Sequence, residues 1–419
     1  MFTQNNTHYP VIIIGGGPAG SGAALFLGKH KIKHLLLEKA LFPREKTCGD
    51  GLTPKVLHVL KKFDENIGAS FMQKETLNGS WGGVVTAPNG KRAEFPLTSP
   101  PAKYAHAPLW VCKRKDFDAF LHTFFLPDYT EVKYGASVTE IVQQEKDILL
   151  TFSYKNETFT ATCDLIIGAD GDRSIVKKTF APQKKDPAHY CASIRAYFSG
   201  VKNLHEKQFM EFYFLEGLMP GYFWIFPLPD GTANIGIGMM SNYVSKHKVN
   251  LRETFLKLIA THPDLKERFS EATMQGNIAG WGIPMGSKLT TLAGKGFMLI
   301  GDAASLVDPA SGEGIGNALY SGMLAADAAK LALEKGDFSE AFFYQNYTKR
   351  VHRTMGNELK FSTYLQYACE YPRLINWFVN KAPKNKLLME TLEVIFDDTI
   401  MRKRLRNPLF YLRLIWGFL

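Results

Sequence analysis

The chain has 419 residues, of which 45% are hydrophobic and 21% are charged, and its basic residues outnumber its acidic residues by ten. This length allows two or more hydrophobic cores, and no apolar run is long enough to predict a transmembrane helix. The five cysteines are scattered and form no C-x-x-C pair, which favours a reducing compartment and argues against a structural zinc site.

The two ends of the sequence bear on the cellular location of the protein and on membrane contact. The first residues lack the basic segment of a signal peptide, so we expect none and predict a cytoplasmic protein. Residues 401–419 contain five basic and no acidic residues among leucine, tryptophan and phenylalanine. Either this segment docks on its own protein with a solvated basic face, which we favour slightly, or it makes peripheral contact with an anionic membrane. Nucleic acid is not an expected partner, because no recognised binding motif accompanies the charge.

The first motif lies at residues 11–20, which read VIIIGGGPAG. An apolar run is followed by the spacing G-x-G-x-x-G, at Gly15, Gly17 and Gly20, and a predicted helix. The next apolar run ends at Glu38. Such glycines let the backbone approach a pyrophosphate at a helix N-terminus, and the acid accepts from a ribose hydroxyl. The series therefore predicts a dinucleotide site, with a glycine-rich turn without ligand as the weaker alternative.

Further elements follow in chain order. Thr53 and Pro54 predict the start of a helix, residues 81–95 a hairpin, and residues 115–125 a helix with phenylalanine at helical spacing. Several β runs follow up to residue 162. The apolar run 164–167 predicts a buried strand that ends in Gly168-Ala169-Asp170-Gly171.

The second half of the chain changes character. Alternation over residues 190–240 predicts an antiparallel sheet, and residues 251–259 a helix. A buried strand over 297–300 ends in Gly301-Asp302 and precedes a long helix over 314–333. From about residue 338 the periodicity is mostly helical.

These elements predict an α/β fold with an α+β insertion. A Rossmann-like nucleotide-binding domain would be built from residues 1–80, 103–180 and 290–335. An antiparallel-sheet substrate domain would use residues 81–102 and 181–289, and residues 336–419 would form a helical C-terminal region.

Two further motifs lie at predicted strand ends, where open α/β sheets bind ligands. Asp170 follows the strand over 164–167, and Asp302 follows the strand over 297–300. After Asp302, Pro309, Gly312 and Gly314 allow backbone amides to face a ligand at the start of the next helix. Each motif alone could be a simple strand-to-helix turn, but three in this order predict one bound dinucleotide.

The three motifs resemble the fingerprints of flavoproteins with the p-hydroxybenzoate hydroxylase fold. Within that fold the chain is most similar to the geranylgeranyl reductase family, over roughly residues 8–335. The runs that carry the resemblance are PREKTCGDG at 43–51, YFWIFP at 222–227 and DPASGEGI at 308–315. The resemblance implies that FAD is the cofactor, with its ADP half on the first motif and its flavin on the third.

The resemblance also implies a set of FAD-binding residues. These are Gly15, Gly17, Pro18, Ala19, Gly20, Glu38, Lys39, Arg44, Cys48, Gly49, Arg114, Val138, Asp170, Gly171, Gly301, Asp302, Pro309, Gly312, Gly314 and Ile315. A guanidinium at Arg114 suits a pyrophosphate, and the alternative is a surface cation beside Asp116 or Asp118.

Cys48 is the candidate catalytic residue. The nearby cations Lys46 and Arg44 are expected to lower its thiol pKa. By resemblance it lies near the flavin, where it would donate a proton or orient the substrate. The equal alternative is a small apolar residue packed under the loop.

Tyr222, Trp224 and Phe226 alternate along a predicted strand, so they share one face. They are the candidate substrate residues, forming an aromatic wall for an apolar molecule, and the alternative is a plain sheet core. Flavin-dependent halogenases share the fold, but their motif is W-x-W-x-I-P, so Tyr222 and Phe226 argue against halogenation.

The resemblance implies a reductase of carbon–carbon double bonds in an isoprenoid or other prenyl lipid. No second dinucleotide fingerprint is present, so NAD(P)H that binds transiently or a ferredoxin would supply electrons. The alternatives are an FAD-dependent monooxygenase or halogenase of the same fold, and a lipid-binding flavoprotein without turnover.

Overall fold

The computed structural model describes residues 7–97 and 106–385, together with Met389 and Leu409. The predicted membrane-binding or docking segment 401–419 therefore lies, except for Leu409, outside the described residues. None of the helices in the described part of the chain has the length and apolar character needed to span a bilayer.

Strands account for much of the described chain. Their bounds are β1 (Thr7–Ile14), β2 (His34–Glu38), β3 (Gly51–Leu52), β4 (Asn78–Ser80), β5 (Gly82–Thr86), β6 (Arg92–Pro96), β7 (Leu109–Val111), β8 (Thr130–Tyr134), β9 (Ser137–Gln143), β10 (Ile148–Tyr154), β11 (Glu157–Gly168), β12 (Tyr190–Ser199), β13 (Met210–Tyr213), β14 (Tyr222–Pro227), β15 (Thr232–Met240), β16 (Thr273–Pro284), β17 (Ala293–Gly294) and β18 (Phe297–Leu299).

Helices lie between these strands and dominate after β18. Their bounds are α1 (Pro18–Lys29), α2 (Pro54–Phe63), α3 (Glu65–Met72), α4 (Arg114–His122), α5 (Ile175–Phe180), α6 (Ser241–Lys246), α7 (Leu251–Thr261), α8 (Pro263–Arg268), α9 (Ile315–Lys335), α10 (Glu340–Phe343), α11 (Lys349–Val351), α12 (Asn357–Ala368) and α13 (Pro372–Lys381). Two π-helical turns, Tyr344–Thr348 and His352–Gly356, flank α11.

The first sheet is parallel at its centre, in the order β18-β11-β1-β2-β8. Its central strands β1, β2 and β11 are apolar and buried, and helices α1 and α5 contact this sheet. Antiparallel strands extend it, since β10 pairs with β11 and β9, and β17 pairs with β18. Helices α1 and α9 pack closely where Gly22 meets the Leu319 backbone. This arrangement confirms the predicted Rossmann-like fold class.

The second sheet has the order β16-β12-β15-β14-β13-β5-β6. Most of its pairs are antiparallel, as alternation predicts, and the hairpin predicted at 81–95 is present as β5 and β6. The predicted antiparallel sheet is confirmed, with one additional pairing that is parallel, between β5 and β13. Alternation shows which residues share a face but not the direction of a neighbouring strand, so it does not distinguish the two pairings.

The two faces of the second sheet differ in what they contact. One face packs against α7 and α8 in a core that contains Phe223, Ile225, Phe255, Leu265 and Phe269. The opposite face carries Met210, Trp224 and Phe226. Strands β5 and β6 are separated along the chain from β12–β16, so the polypeptide enters this sheet twice. The predicted domain boundaries themselves stay a prediction.

Candidate active site

A cavity of about 720 Å³ lies between the carboxyl ends of the parallel strands and the aromatic face of the second sheet. All three sequence motifs reach it. Every predicted FAD-binding residue except Gly20 and Gly301 lines this cavity, and so do Tyr222, Trp224 and Phe226. Residues spread over most of the chain therefore converge on one continuous space.

Gly15, Gly20 and Gly301 are required at their positions for different structural reasons. Gly15 has φ +100°, and a Cβ there would lie 2.5 Å from the Ala169 carbonyl oxygen. Gly20 lies behind the cavity wall, where a Cβ would come within 1.8 Å of the Gly15 carbonyl oxygen. Gly301 likewise packs against Ala19 instead of lining the cavity. Gly20 and Gly301 therefore shape the site through close packing, and the structure brings neither to the cavity surface.

Glu38 ends β2 and is almost fully buried. Its Oε2 accepts from the Gly16 amide at 2.7 Å, and its Oε1 accepts from the Ala40 amide at 2.8 Å. Two backbone donors thus fix the carboxylate at the cavity edge beside the start of α1. Lys39 follows it as an exposed residue at the rim.

Arg44 and Arg114 converge on one buried carboxylate. Arg114 donates to both oxygens of Asp118 at 2.7 Å, and Arg44 Nη2 lies 3.3 Å from Asp118 Oδ2. The alternative of Arg114 as a surface cation is wrong, because Arg114 is only 7% exposed, although its partner is Asp118.

This part of the cavity fits the diphosphate of FAD. Arg44 Nη1 is buried and has no hydrogen-bond partner among the described residues. It lies near the start of α1, which no side chain caps, so the first amides of that helix also face the cavity. An uncapped helix N-terminus with a guanidinium beside it is a favourable place for phosphate charge.

The two aspartates at strand ends are held differently. Asp170 Oδ2 accepts from the Ile175 amide at 2.6 Å, while its Oδ1 is buried without a partner among the described residues. Burial raises the pKa of Asp170. Burial also raises the pKa of Asp302, against the opposing effect of the Lys46 charge. Both carboxyls line the cavity and can accept from hydroxyl groups of a ligand.

The third motif is a fixed loop. Asp308 Oδ1 accepts from the amides of Ala310 and Ser311 and from the Ser362 hydroxyl of α12. Gly312, at φ +71°, and Gly314 expose backbone to the cavity just before α9 begins at Ile315. The Tyr222 hydroxyl donates to the Ser311 carbonyl at 2.5 Å, so the second sheet is tied to this loop.

The three predicted substrate residues form one wall. The rings of Tyr222 and Trp224 are 6.0 Å apart, and those of Trp224 and Phe226 are 6.2 Å apart. Trp224 Nε1 donates to Asn234 Oδ1 at 2.9 Å, which fixes the indole. A Cβ at Gly49 would lie 3.5 Å from the Phe226 ring, so the cysteine–glycine loop packs directly on this wall. The shared face predicted from alternation is confirmed.

Cys48 lines the cavity, but its predicted acidity is wrong. Burial raises the pKa of the Cys48 thiol, and the Arg114 charge opposes this only in part. The expectation from Lys46 and Arg44 failed because desolvation of the thiolate outweighs the nearby positive charges. The raised pKa favours the protonated thiol of Cys48, and the Asp50 backbone amide opposes that rise.

Asp50 is a residue that the sequence prediction missed. It is fully buried at φ +65° and lines the cavity two residues after Cys48. Its Oδ2 accepts from the Tyr197 hydroxyl at 2.7 Å and from Asn234 Nδ2 at 2.8 Å. The available signal was an aspartate between two glycines in CGDG, but its partners are distant in the chain.

Lys46, Arg195 and Trp281 were also missed. The Lys46 ammonium lies 3.4 Å from the centroid of the Trp281 ring, and burial lowers the pKa of Lys46 to about 8. Arg195 Nε and Trp281 Nε1 are buried without partners among the described residues. All three line the cavity, and no spacing in the sequence marks them.

Comparisons with known proteins agree with this geometry. The family model described as "FAD binding domain" matches residues 8–337. The digeranylgeranylglycerophospholipid reductase of Methanococcus vannielii is 28% identical over 85% of this chain and 87% of its own length. The menaquinone reductase of Mycolicibacterium smegmatis is 30% identical over 77% of this chain and 76% of its own length.

Solved structures share the fold. A geranylgeranyl bacteriochlorophyll reductase-like protein from Thermoplasma acidophilum has a TM-score of 0.78 at 24% identity, covering 90% of this chain and 92% of its own. A flavin-dependent brominase has a TM-score of 0.74 at 21% identity, covering 94% of each chain. The fold is thus common to a reductase-like protein and a halogenase, while the two sequence relatives above are reductases by name. The chain belongs to the FAD-binding domain family and is an FAD-dependent oxidoreductase.

Proposed function

We propose that this protein reduces carbon–carbon double bonds in the isoprenoid chain of a prenyl lipid. The observation that carries the proposal is the wall of Tyr222, Trp224 and Phe226, which lies against the Cys48–Gly49 loop in the same cavity as the 309–315 loop. An alkene held on this wall would lie between a thiol and the predicted flavin position. The names of the two relatives, digeranylgeranylglycerophospholipid reductase and menaquinone reductase, support the same substrate class.

The chain's own residues would do four things. The cofactor would be held by Glu38, the start of α1, Arg44, Asp170 and Asp302. The loop 309–315 would place the flavin ring of the cofactor. The aromatic wall would orient the alkene and exclude water. Cys48 would hold a proton at Sγ for one alkene carbon. FAD, when bound and reduced, supplies a hydride to the other carbon.

Electrons and substrate must both reach this site. We propose NAD(P)H or a ferredoxin as the electron donor, because the sequence carries one dinucleotide fingerprint and FAD uses it. For the basic, apolar segment 401–419 the sequence alone slightly favours docking on its own protein. With a prenyl lipid as substrate we propose the alternative, contact with an anionic membrane, because such a lipid resides there.

The test is anaerobic reduction of the purified flavoprotein, followed by mixing with a geranylgeranyl lipid or a menaquinone while flavin absorbance is recorded. We expect reoxidation of the flavin without oxygen and a product with two more hydrogens per reduced bond. The fully saturated lipid is the matched control and should leave the flavin reduced.

Two other outcomes would replace the proposal. Reoxidation that requires oxygen, with oxygen or halide in the product, would indicate a monooxygenase or halogenase. Tight lipid binding without any reoxidation would indicate a lipid-binding flavoprotein.

A further inference from the structure

A buried carboxyl group, that of Asp50, lines the cavity two residues after Cys48. Asp50 is fully buried, and its Oδ1 has no partner among the described residues. Asn234 Nδ2 donates both to Asp50 Oδ2 and to the Cys48 carbonyl, each at 2.8 Å. The Asp50 backbone amide also acts to lower the pKa of the Cys48 thiol. Asn234 therefore joins the Asp50 carboxylate to the Cys48 backbone, and both residues line the same cavity.

We propose that Asp50 is a positioning residue that holds the proton reserve for the Cys48 thiol. The inference rests on the proposed reductase function. As the alkene π bond breaks, one carbon takes the hydride and the other takes the proton from the Cys48 S–H. The Asp50 O–H then gives its proton to the sulfur, and the Asp50 carboxylate takes a proton from water. Each reduced bond thus consumes one hydride and one proton, and the named electron donor restores the reduced cofactor.

Proton affinities favour this direction of transfer. Burial raises the pKa of Asp50 to about 6. Burial also raises the pKa of the Cys48 thiol above its ordinary value. The Asp50 carboxyl therefore stays a stronger acid than the Cys48 thiol. A carboxyl therefore reprotonates a thiolate downhill. The charged and titratable groups that face Asp50 are Tyr197, Arg195, Arg114, Cys112 and Cys48. Tyr197 donates to the carboxylate, and the two arginines favour its charged form.

A purely structural role is the competing explanation. Asp50 accepts a hydrogen bond from Asn234, and Asn234 accepts one from the Trp224 indole, so Asp50 could act only by fixing the position of Trp224. Asparagine at position 50 keeps an acceptor oxygen for Tyr197 and Asn234 but carries no acidic proton. Asp50→Asn therefore separates the two roles.

The first experiment measures turnover of the FAD-loaded protein with a geranylgeranyl lipid between about pH 5 and 8. In the wild type, kcat should fall as pH rises through about 6, because Asp50 loses the proton that would return to the Cys48 sulfur. Asp50→Asn should lower kcat about 100-fold at about pH 5, leave KM unchanged and remove the pH dependence. Tyr197→Phe, which removes a hydrogen bond that lowers the Asp50 pKa, should move the fall to higher pH.

The second experiment needs no prenyl substrate. The rate at which iodoacetamide alkylates Cys48 is followed against pH by mass spectrometry of the Cys48 peptide. Ionisation of Asp50 opposes thiolate formation, so the wild-type profile should bend near pH 6 and the Asp50→Asn profile should not. Asp264→Asn is the matched control, because Asp264 also accepts from a tyrosine hydroxyl but lies outside the cavity. This variant should leave the pH profiles of kcat and of Cys48 alkylation unchanged.

The outcomes are separable. A wild-type alkylation profile without a bend, or an Asp50→Asn protein with wild-type kcat and pH profile, would overturn the proton reserve. If wild type and control bind FAD but no prenyl lipid reoxidises the flavin, the reductase function itself fails. The alkylation profile then still decides whether Asp50 controls the Cys48 thiol.

Discussion

Cys48 lines the cavity as a protonated thiol, with Arg114 and the Asp50 amide beside its sulfur. Cys48→Ser should slow single-turnover reoxidation of the reduced flavin by a prenyl lipid about 100-fold, because a hydroxyl is a far weaker acid. Anaerobic stopped-flow absorbance measures this rate. Cys163→Ser is the control, since Cys163 is buried in β11 outside the cavity. Full retention of the rate in Cys48→Ser would exclude the proton-donor role.

Asp50 also predicts how stability depends on pH. Its pKa in the fold is about 6, above the ordinary 3.8, so its protonated form stabilises the fold. That contribution is present below about pH 4 and is lost as pH rises through about 6. Asp50→Asn should therefore gain stability relative to the wild type between these values, by roughly 3 kcal/mol at most.

Thermal denaturation of the two proteins at several pH values measures this difference. A difference between Asp50→Asn and the wild type that does not change with pH would show that Asp50 does not titrate in this range.

At the scale of elements, β14 and β15 shape the substrate side of the cavity. A Cβ at Gly236 of β15 would lie 2.2 Å from the Trp224 ring and 2.4 Å from the Ile194 carbonyl oxygen of β12, so Gly236→Ala should displace the indole and strain the β12–β15 pairing. We expect normal FAD content, since no FAD motif is touched, but at least roughly tenfold slower reoxidation by the prenyl lipid. Gly217→Ala is the control, because a Cβ there meets nothing within 4 Å. Unchanged reoxidation in Gly236→Ala would mean that Trp224 does not orient the substrate.

The elements differ in how well the sequence predicted them. Helices α2, α4 and α9 and the strands that end at Gly168 and Leu299 were predicted because their apolar spacing and end residues are local. Strand β16 was missed, since its sequence TMQGNIAGWGIP has no clear alternation. The Asp50 network was missed because Tyr197 and Asn234 reach it from strands far along the chain. The contact between Lys46 and the Trp281 ring was missed for the same reason, because the two residues are far apart in the chain.

At the scale of the whole molecule, FAD would contact pieces of chain from Gly15 to Ile315 and so link elements distant in sequence. Removal of FAD should therefore lower the melting temperature of the protein. At a free FAD concentration roughly 100 times Kd the stabilisation should be about 2.7 kcal/mol. Thermal scans of the FAD-free protein with increasing FAD measure it, and NAD is the control ligand. A melting temperature independent of FAD would contradict the proposed contacts.

The first sheet is built from strands that lie far apart in the chain, so its nucleotide site is completed late in biosynthesis. A ribosome releases β1, α1 and β2 long before β11, which covers one edge of β1, and before α9, which packs on α1. The nascent first half therefore carries an open strand edge and half of a nucleotide site. Such an edge can pair with other chains, so chaperone protection and the supply of FAD late in translation would set the yield of active protein.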